Sequence, residues 1–268
     1  MKKIILFLTL LALFTSEPAL ATCEGEKSPT DQSLVLAIDI SNSIDGEETY
    51  TQMMGYKQAL LDRQVQESIL GCGCTDMSVV LFGSHTHTVV KRNRIKVVQD
   101  LVTLSDFFHE LGAAKTPLYL QFNDPGLTFV ADGLSEAIDI LNDAKNTSNH
   151  KAILISGDGK NSRNEPDRFA ELRRTSVELY IQVSAIPIDV YDAYTDSDNS
   201  NSSITKSPPS ADLESFSQES MQEPLSLPEF YKDHVINDLG FIKIARSYKD
   251  LPPIVIQSLR EISCKPIM

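Results

Sequence analysis

The sequence predicts a doubly wound α/β fold: a mainly parallel central sheet with helices on both faces. Two features of the chain carry that prediction. Short apolar runs rich in β-branched residues alternate with stretches of helical spacing, and parallel strands need such crossover segments, which then cover the sheet. The apolar runs are nearly continuous rather than alternating, as strands buried on both faces are. A chain of 268 residues, 41% hydrophobic, is long enough to bury one such core.

In chain order, strands are expected at residues 33–40, 77–82, 151–155, 180–188 and 241–245, most of them too short for a helix. Helices are expected at 47–67, 95–111, 131–144, 167–179 and 248–262, with a short one near 230–236. Residues 192–228, rich in Ser, Asp, Asn and Pro and poor in aliphatics, read as a disordered surface insertion, with a partner-docking loop as the alternative. No internal repeat is visible.

The first residues have the form of an export signal. Lys2 and Lys3 precede an apolar run over 4–14, and Ala19-Leu20-Ala21 has the small-residue pattern of a cleavage site. Residues 1–21 are therefore expected to be removed, leaving 22–268 as one domain, periplasmic or secreted. Acylation of Cys23 is the weaker reading, because Thr22 is a poor residue before a lipidated cysteine. No later segment reads as transmembrane. A formal net charge of −13 argues against a nucleic-acid partner.

Four cysteines allow three pairings. The expected bridge joins Cys23, just before the first strand, to Cys264, just after the last helix. Cys72-Gly73-Cys74 would then close on itself in a tight ring or stay reduced. His85 and His87 share a face if their segment is extended. With Cys72 and Cys74 they make a conceivable Zn²⁺ or Cu²⁺ site, although exposed edge-strand histidines are the commoner case. Asn146-Thr147-Ser148 and Asn201-Ser202-Ser203 match glycosylation acceptors.

Three stretches carry candidate chemistry. In "LVLAIDISNSID", residues 34–45, a buried strand runs into Asp39, Ser41 and Ser43 at alternate positions, which share one side if the backbone stays extended. In "DPGLTFVADGLSEAI", residues 124–138, Thr128 lies in a loop just before a helix, and in "KAILISGDGKNS", residues 151–162, Asp158 stands between glycines at a strand end. The plainer alternatives are that Ser43 or Asp45 caps the following helix and that the other two are ordinary loops. A parallel sheet brings the ends of these elements to one rim, where open α/β sheets bind ligands.

This combination resembles the von Willebrand factor A (VWA) domain, a Rossmann-like fold, and its metal-ion-dependent adhesion site. The resemblance covers roughly residues 34–262. "EFYKDHVINDLGFIKIARSYKDL", residues 229–251, and "SGDGKNS" are similar to an exported bacterial subgroup of such proteins of unknown function. It implies Ser41, Ser43 and Thr128 as hydroxyl ligands of a divalent ion, Mg²⁺ or else Mn²⁺ or Ca²⁺, with Asp39 and Asp158 as the carboxylates that hold its waters and hydroxyls. Hard cations take oxygen ligands, so the donor set is consistent. The implied function is non-catalytic: an ion with few charged ligands stays electrophilic and accepts a carboxylate from a protein partner. At the threonine loop the family commonly has Gly-Thr, whereas this chain has Gly126-Leu127-Thr128.

Enzymatic alternatives match poorly. Haloacid-dehalogenase-like phosphatases need a second aspartate two residues after the first, and here that position is Ser41. No GxSxG elbow, P-loop or GxGxxG occurs. A metal-independent scaffold docking through 192–228 is the remaining alternative.

Overall fold

A computed structural model describes residues 23, 30–41, 43–113, 126–143, 145, 147–189 and 225–263. The expected signal segment, Cys264, Asn146, Asn201 and most of the 192–228 insertion lie outside the described residues.

Five strands form one sheet in the order β3-β2-β1-β4-β5: β1 Gln32–Asp39, β2 Thr75–Phe82, β3 Thr86–Ile95, β4 His150–Gly157 and β5 Ile181–Pro187. All pairings are parallel except β2 with β3, so the mainly parallel doubly wound fold stands. β1, flanked by β2 and β4, is buried at every position. Its residues alternate between two cores, as strand geometry requires. Leu34, Leu36 and Ile38 face one core with α1 (Gly46–Leu61), α2 (Arg63–Leu70), α3 (Val98–Gly112) and the last helix. Val35 and Ala37 face the other with α4 (Val130–Asn142) and α5 (Pro166–Glu178). The chain leaves β1 toward β2 on one side and β4 lies on the other, so the crevice between β1 and β4 is the topological switch point.

Several expected elements differ. The helix expected over 47–67 is two helices, because Asp62 is extended and its carboxylate accepts from the Gln64 and Val65 amides, capping α2. Strand β3 was legible only as the extended segment around the histidines. It is an edge strand, half-buried along most of its length, and so lacks the apolar run that marks the others. The strand expected at 241–245 makes only isolated bridges, Ala185 with Ile242 and Ile188 with Ala245. The helix near 230–236 is a short turn, α6 (Leu227–Phe230), continued by a π-helical turn over Tyr231–Val235. A 3₁₀ turn, Tyr248–Asp250, leads into α7 (Leu251–Ile262).

At the end of the sheet where β1 and β2 begin, Asp76 is buried against Arg94, with Thr30 and Arg94 also donating to its Oδ2 at 2.9 and 3.3 Å. The disulfide there joins Cys23 to Cys74, Cα atoms 5.3 Å apart, rather than to Cys264. At that end Cys74 is tied to the residue before β1: the Asp31 amide donates to the Cys74 carbonyl and the Cys74 amide to Asp31 Oδ2, both at 2.8 Å. Cys72 is disulfide-bonded as well, so the closed Cys72–Cys74 ring and the reduced pair are both excluded. With those thiols oxidised, the mixed His85/His87/Cys72/Cys74 metal site is excluded too. The two imidazoles lie 6.4 Å apart between centroids.

Candidate functional site

The site is built where β1 and β4 end. β1 stops at Asp39, and the chain does not stay extended through the serines. The Ser41 amide turns back to Asp39 Oδ1 at 2.8 Å, and the Ile44 amide donates to the Ser41 carbonyl at 3.1 Å. A turn, rather than strand alternation, therefore gathers the hydroxyls. Asp45 then starts α1 with a full capping box, its carboxylate accepting from the Glu47 and Glu48 amides while the Glu48 carboxylate accepts from the Asp45 amide. Asp45 takes the capping role, and Ser43 is left to the site.

Four of the five expected side chains form one hydrogen-bonded chain across three loops. Thr128 Oγ1 donates to Ser41 Oγ at 2.7 Å, Ser41 and Ser43 Oγ are 3.1 Å apart, and Ser43 Oγ donates to Asp158 Oδ1 at 2.6 Å. Asp39 lies beneath, joined through the Ser41 amide. The chain runs from buried to open: Asp39, Ser41 and Thr128 are buried, Asp158 is half-buried and Ser43 is exposed.

The threonine loop is held from both sides. The Leu127 amide donates to Ser84 Oγ at 2.6 Å and Thr128 exchanges two hydrogen bonds with Ser162: amide to Oγ at 3.0 Å, carbonyl from amide at 2.7 Å. The extra Leu127 projects outward, 60% exposed, and Thr128 still reaches Ser41. Gly159 permits the approach, since a Cβ there would stand 2.8 Å from Thr128 Oγ1.

Sequence reasoning missed the second layer, which comes from the segment after β5. The Tyr248 hydroxyl donates to Asp158 Oδ2 at 3.1 Å. Fully buried Tyr231 places its hydroxyl 2.7 Å from the position a Gly157 Cβ would take, and Asp39 Oδ2 lies at the same distance from that point. Nothing in the spacing of 229–251 signals these contacts, because the segment has neither regular helix nor regular strand.

The electrostatics are one-sided. Burial pushes the Asp39 carboxyl up to about 7, against hydrogen bonding from Ser41 and with the nearby Asp158 adding to the rise. Burial also raises Asp158, opposed by its bonds from Ser43 and Tyr248. Among the described residues no Lys, Arg or His forms an ion pair with either carboxylate, and Asp39 Oδ2 has no hydrogen-bond partner. Two acids drawn together, one with an open buried oxygen, three hydroxyls and no nitrogen or sulfur donor suit a hard divalent cation. Among the described residues no three His, Cys, Asp or Glu side chains cluster as a metal site; this set depends on hydroxyls.

A family model described as a protein of unknown function (DUF1194) matches residues 29–265. The chain belongs to that family. No curated protein matches its sequence. Among solved structures, this DUF1194 chain is similar to proximal thread matrix protein 1 from the mussel byssus, at 15% identity over 88% of this chain and 48% of that one, TM-score 0.52. Another structure of the mussel protein, with a zinc-occupied MIDAS motif, matches at 16% identity over the same shares, TM-score 0.52. The pilus adhesin SpaC of Lactobacillus rhamnosus GG matches at 12% identity over 88% of this chain and 31% of that one, TM-score 0.55. An aerotolerance-related membrane protein of Bacteroides fragilis NCTC 9343 matches at 13% identity over 85% and 98%, TM-score 0.50. This chain thus spans about half the length of the mussel protein and about a third of the adhesin. At these identities the likeness is one of fold, the VWA-type doubly wound sheet.

Proposed function

We propose that this DUF1194 chain is an exported, non-catalytic binding module that holds a divalent metal ion, Mg²⁺ or else Mn²⁺ or Ca²⁺, and binds an acidic group of a protein partner. The observation that carries the reading is the unbroken hydroxyl–carboxylate chain from Thr128 through Ser41 and Ser43 to Asp158, lying over a buried Asp39 that has no ion-pair partner among the described residues. Ser41, Ser43 and Thr128 would be the hydroxyl ligands. Asp39 and Asp158 would orient those hydroxyls and compensate the ion's charge. When bound, the ion supplies an electrophilic position for an outside carboxylate.

The chain's own residues prepare that position. The Asp39–Ser41 bond fixes the turn after β1, the Thr128–Ser162 pair fixes the second loop, and Tyr248 fixes the Asp158 rotamer. Exposed Ser43 and half-buried Asp158 leave the outer side accessible to a partner. The Cys23–Cys74 bridge is consistent with an oxidising compartment, and no helix among the described residues is long and apolar enough to cross a membrane. The zinc-occupied MIDAS motif of the structurally similar mussel protein supports the reading by analogy of fold.

Calorimetric titration with Mg²⁺ tests it. Wild type is expected to give one saturable site and Asp158→Ala no heat. Equal heats, or none in wild type, would contradict it. A partner held through the metal is released by chelator, whereas one docked on residues 192–228 is not.

A further inference from the structure

Among the described residues, two of the buried polar atoms that lack hydrogen-bond partners border the same place. One is Asp39 Oδ2 and the other is the Tyr231 hydroxyl, and both residues are fully buried. Each is 2.7 Å from the point where a Cβ on Gly157 would stand, so they border one spot on the same face of β4. One is an acceptor and the other carries a proton to donate. We propose that Tyr231 is a positioning residue of the candidate metal site, its hydroxyl donating to Asp39 Oδ2 when the site is loaded; the inference rests on the metal-binding reading above.

The fold places this donor with care. Tyr231 opens the π-helical turn Tyr231–Val235, closed by the Ile236 amide donating to the Tyr231 carbonyl at 3.0 Å. Such turns recur at functional sites. The turn is fastened at several points. Asn237 Nδ2 donates to the Ile181 carbonyl at 2.7 Å and to Ser176 Oγ at 2.9 Å, and Arg173 donates to the Asp233 carbonyl at 2.6 Å. The Tyr231 ring packs edge-on against Phe230, centroids 5.7 Å apart. A hydroxyl held this firmly, and buried, is costly unless it finds an acceptor. On the other side of the pair, Asp39 Oδ1 already accepts from the Ser41 amide. That leaves Asp39 Oδ2 as the acceptor facing the Tyr231 hydroxyl across the Gly157 position.

The contrast is Tyr56, equally buried on the opposite face of the sheet, whose hydroxyl donates to Ser156 Oγ at 2.8 Å. That hydroxyl is already satisfied within the core. Tyr231→Phe keeps the ring packing and removes only the donor, and Tyr56→Phe does the same for the satisfied one.

The experiment measures Mg²⁺ affinity by calorimetry and the thermal midpoint in chelator and in excess Mg²⁺, for wild type, Tyr231→Phe and Tyr56→Phe. Tyr231→Phe is expected to weaken Mg²⁺ binding about tenfold, the loss typical of a hydrogen bond to a charged group, while its midpoint in chelator stays at or above the wild-type value. Tyr56→Phe should lower the midpoint in chelator and leave Mg²⁺ affinity unchanged. Wild-type affinity in Tyr231→Phe would overturn the positioning role and leave the metal reading intact. An absent Mg²⁺ response in wild type would overturn both.

Discussion

Two buried aspartates, at opposite ends of the same sheet, meet different fates. Asp76, near the start of β2, is 8% exposed and bonded to the Arg94 guanidinium and the Thr30 hydroxyl. Asp39, at the end of β1, is fully buried, has one oxygen without a hydrogen-bond partner among the described residues and feels the charge of Asp158, another acid. Taking a carboxylate out of water is tolerable when a cation compensates it. The Asp76 end satisfies that rule internally and is further fastened by the Cys23–Cys74 bridge. The Asp39 end does not, and the missing charge is the physical content of the metal proposal.

Perturbing the fastened end should cost stability and leave metal binding alone. The largest effect is expected from replacing Cys23 and Cys74 with serine. The bridge spans a sequence separation of 51 residues, so its loss should cost on the order of 4 kcal/mol by the loop-entropy account. Urea unfolding against wild type measures it, and peptide mapping without reduction should recover Cys23 linked to Cys74. Next is Arg94→Met, which leaves Asp76 buried without its cation. The pair is mostly shielded, with side chains 23% and 11% exposed, and stability should fall by about 3 kcal/mol, with Mg²⁺ affinity unchanged.

The smallest effect, at the open end, is a pH trend in chelator. Asp39 has a folded pKa of about 7, above its ordinary 3.8. Between those values the native protein therefore holds more protons than the unfolded chain, and stability falls as pH rises through this window. Lowering the pH from about 7.5 to 5.5 should raise the stability of the metal-free protein by about 2 kcal/mol. Asp39→Asn should abolish that contribution, which equilibrium unfolding at each pH detects.

What could be read from sequence follows from range. β1, β2, β4 and β5 announce themselves because a strand covered on both faces must be apolar throughout, whereas β3, at the edge and half-buried, has no such requirement. The Asp62 break between α1 and α2 is local capping chemistry that the helical spacing concealed. The oxygen-rich motifs at Asp39, Ser41, Ser43, Thr128 and Asp158 were visible because each is a contiguous stretch at a strand end or helix start, and the fold brings them together. Tyr231 and Tyr248 were not, because what makes them part of the site is the path of an irregular segment across the sheet. The disulfide expectation failed for the same reason: Cys23 lies beside Cys74, a neighbourhood in space that is not written in the spacing of cysteines.

The central claim is that Ser41, Ser43 and Thr128 share one cation above the two acids. Crystals grown with Mn²⁺ and measured for anomalous scattering test it most directly. A strong anomalous peak is expected within bonding distance of hydroxyl oxygens of this set, absent in Asp158→Ala. A map with no peak there, or with its peak at another part of the molecule, would contradict it.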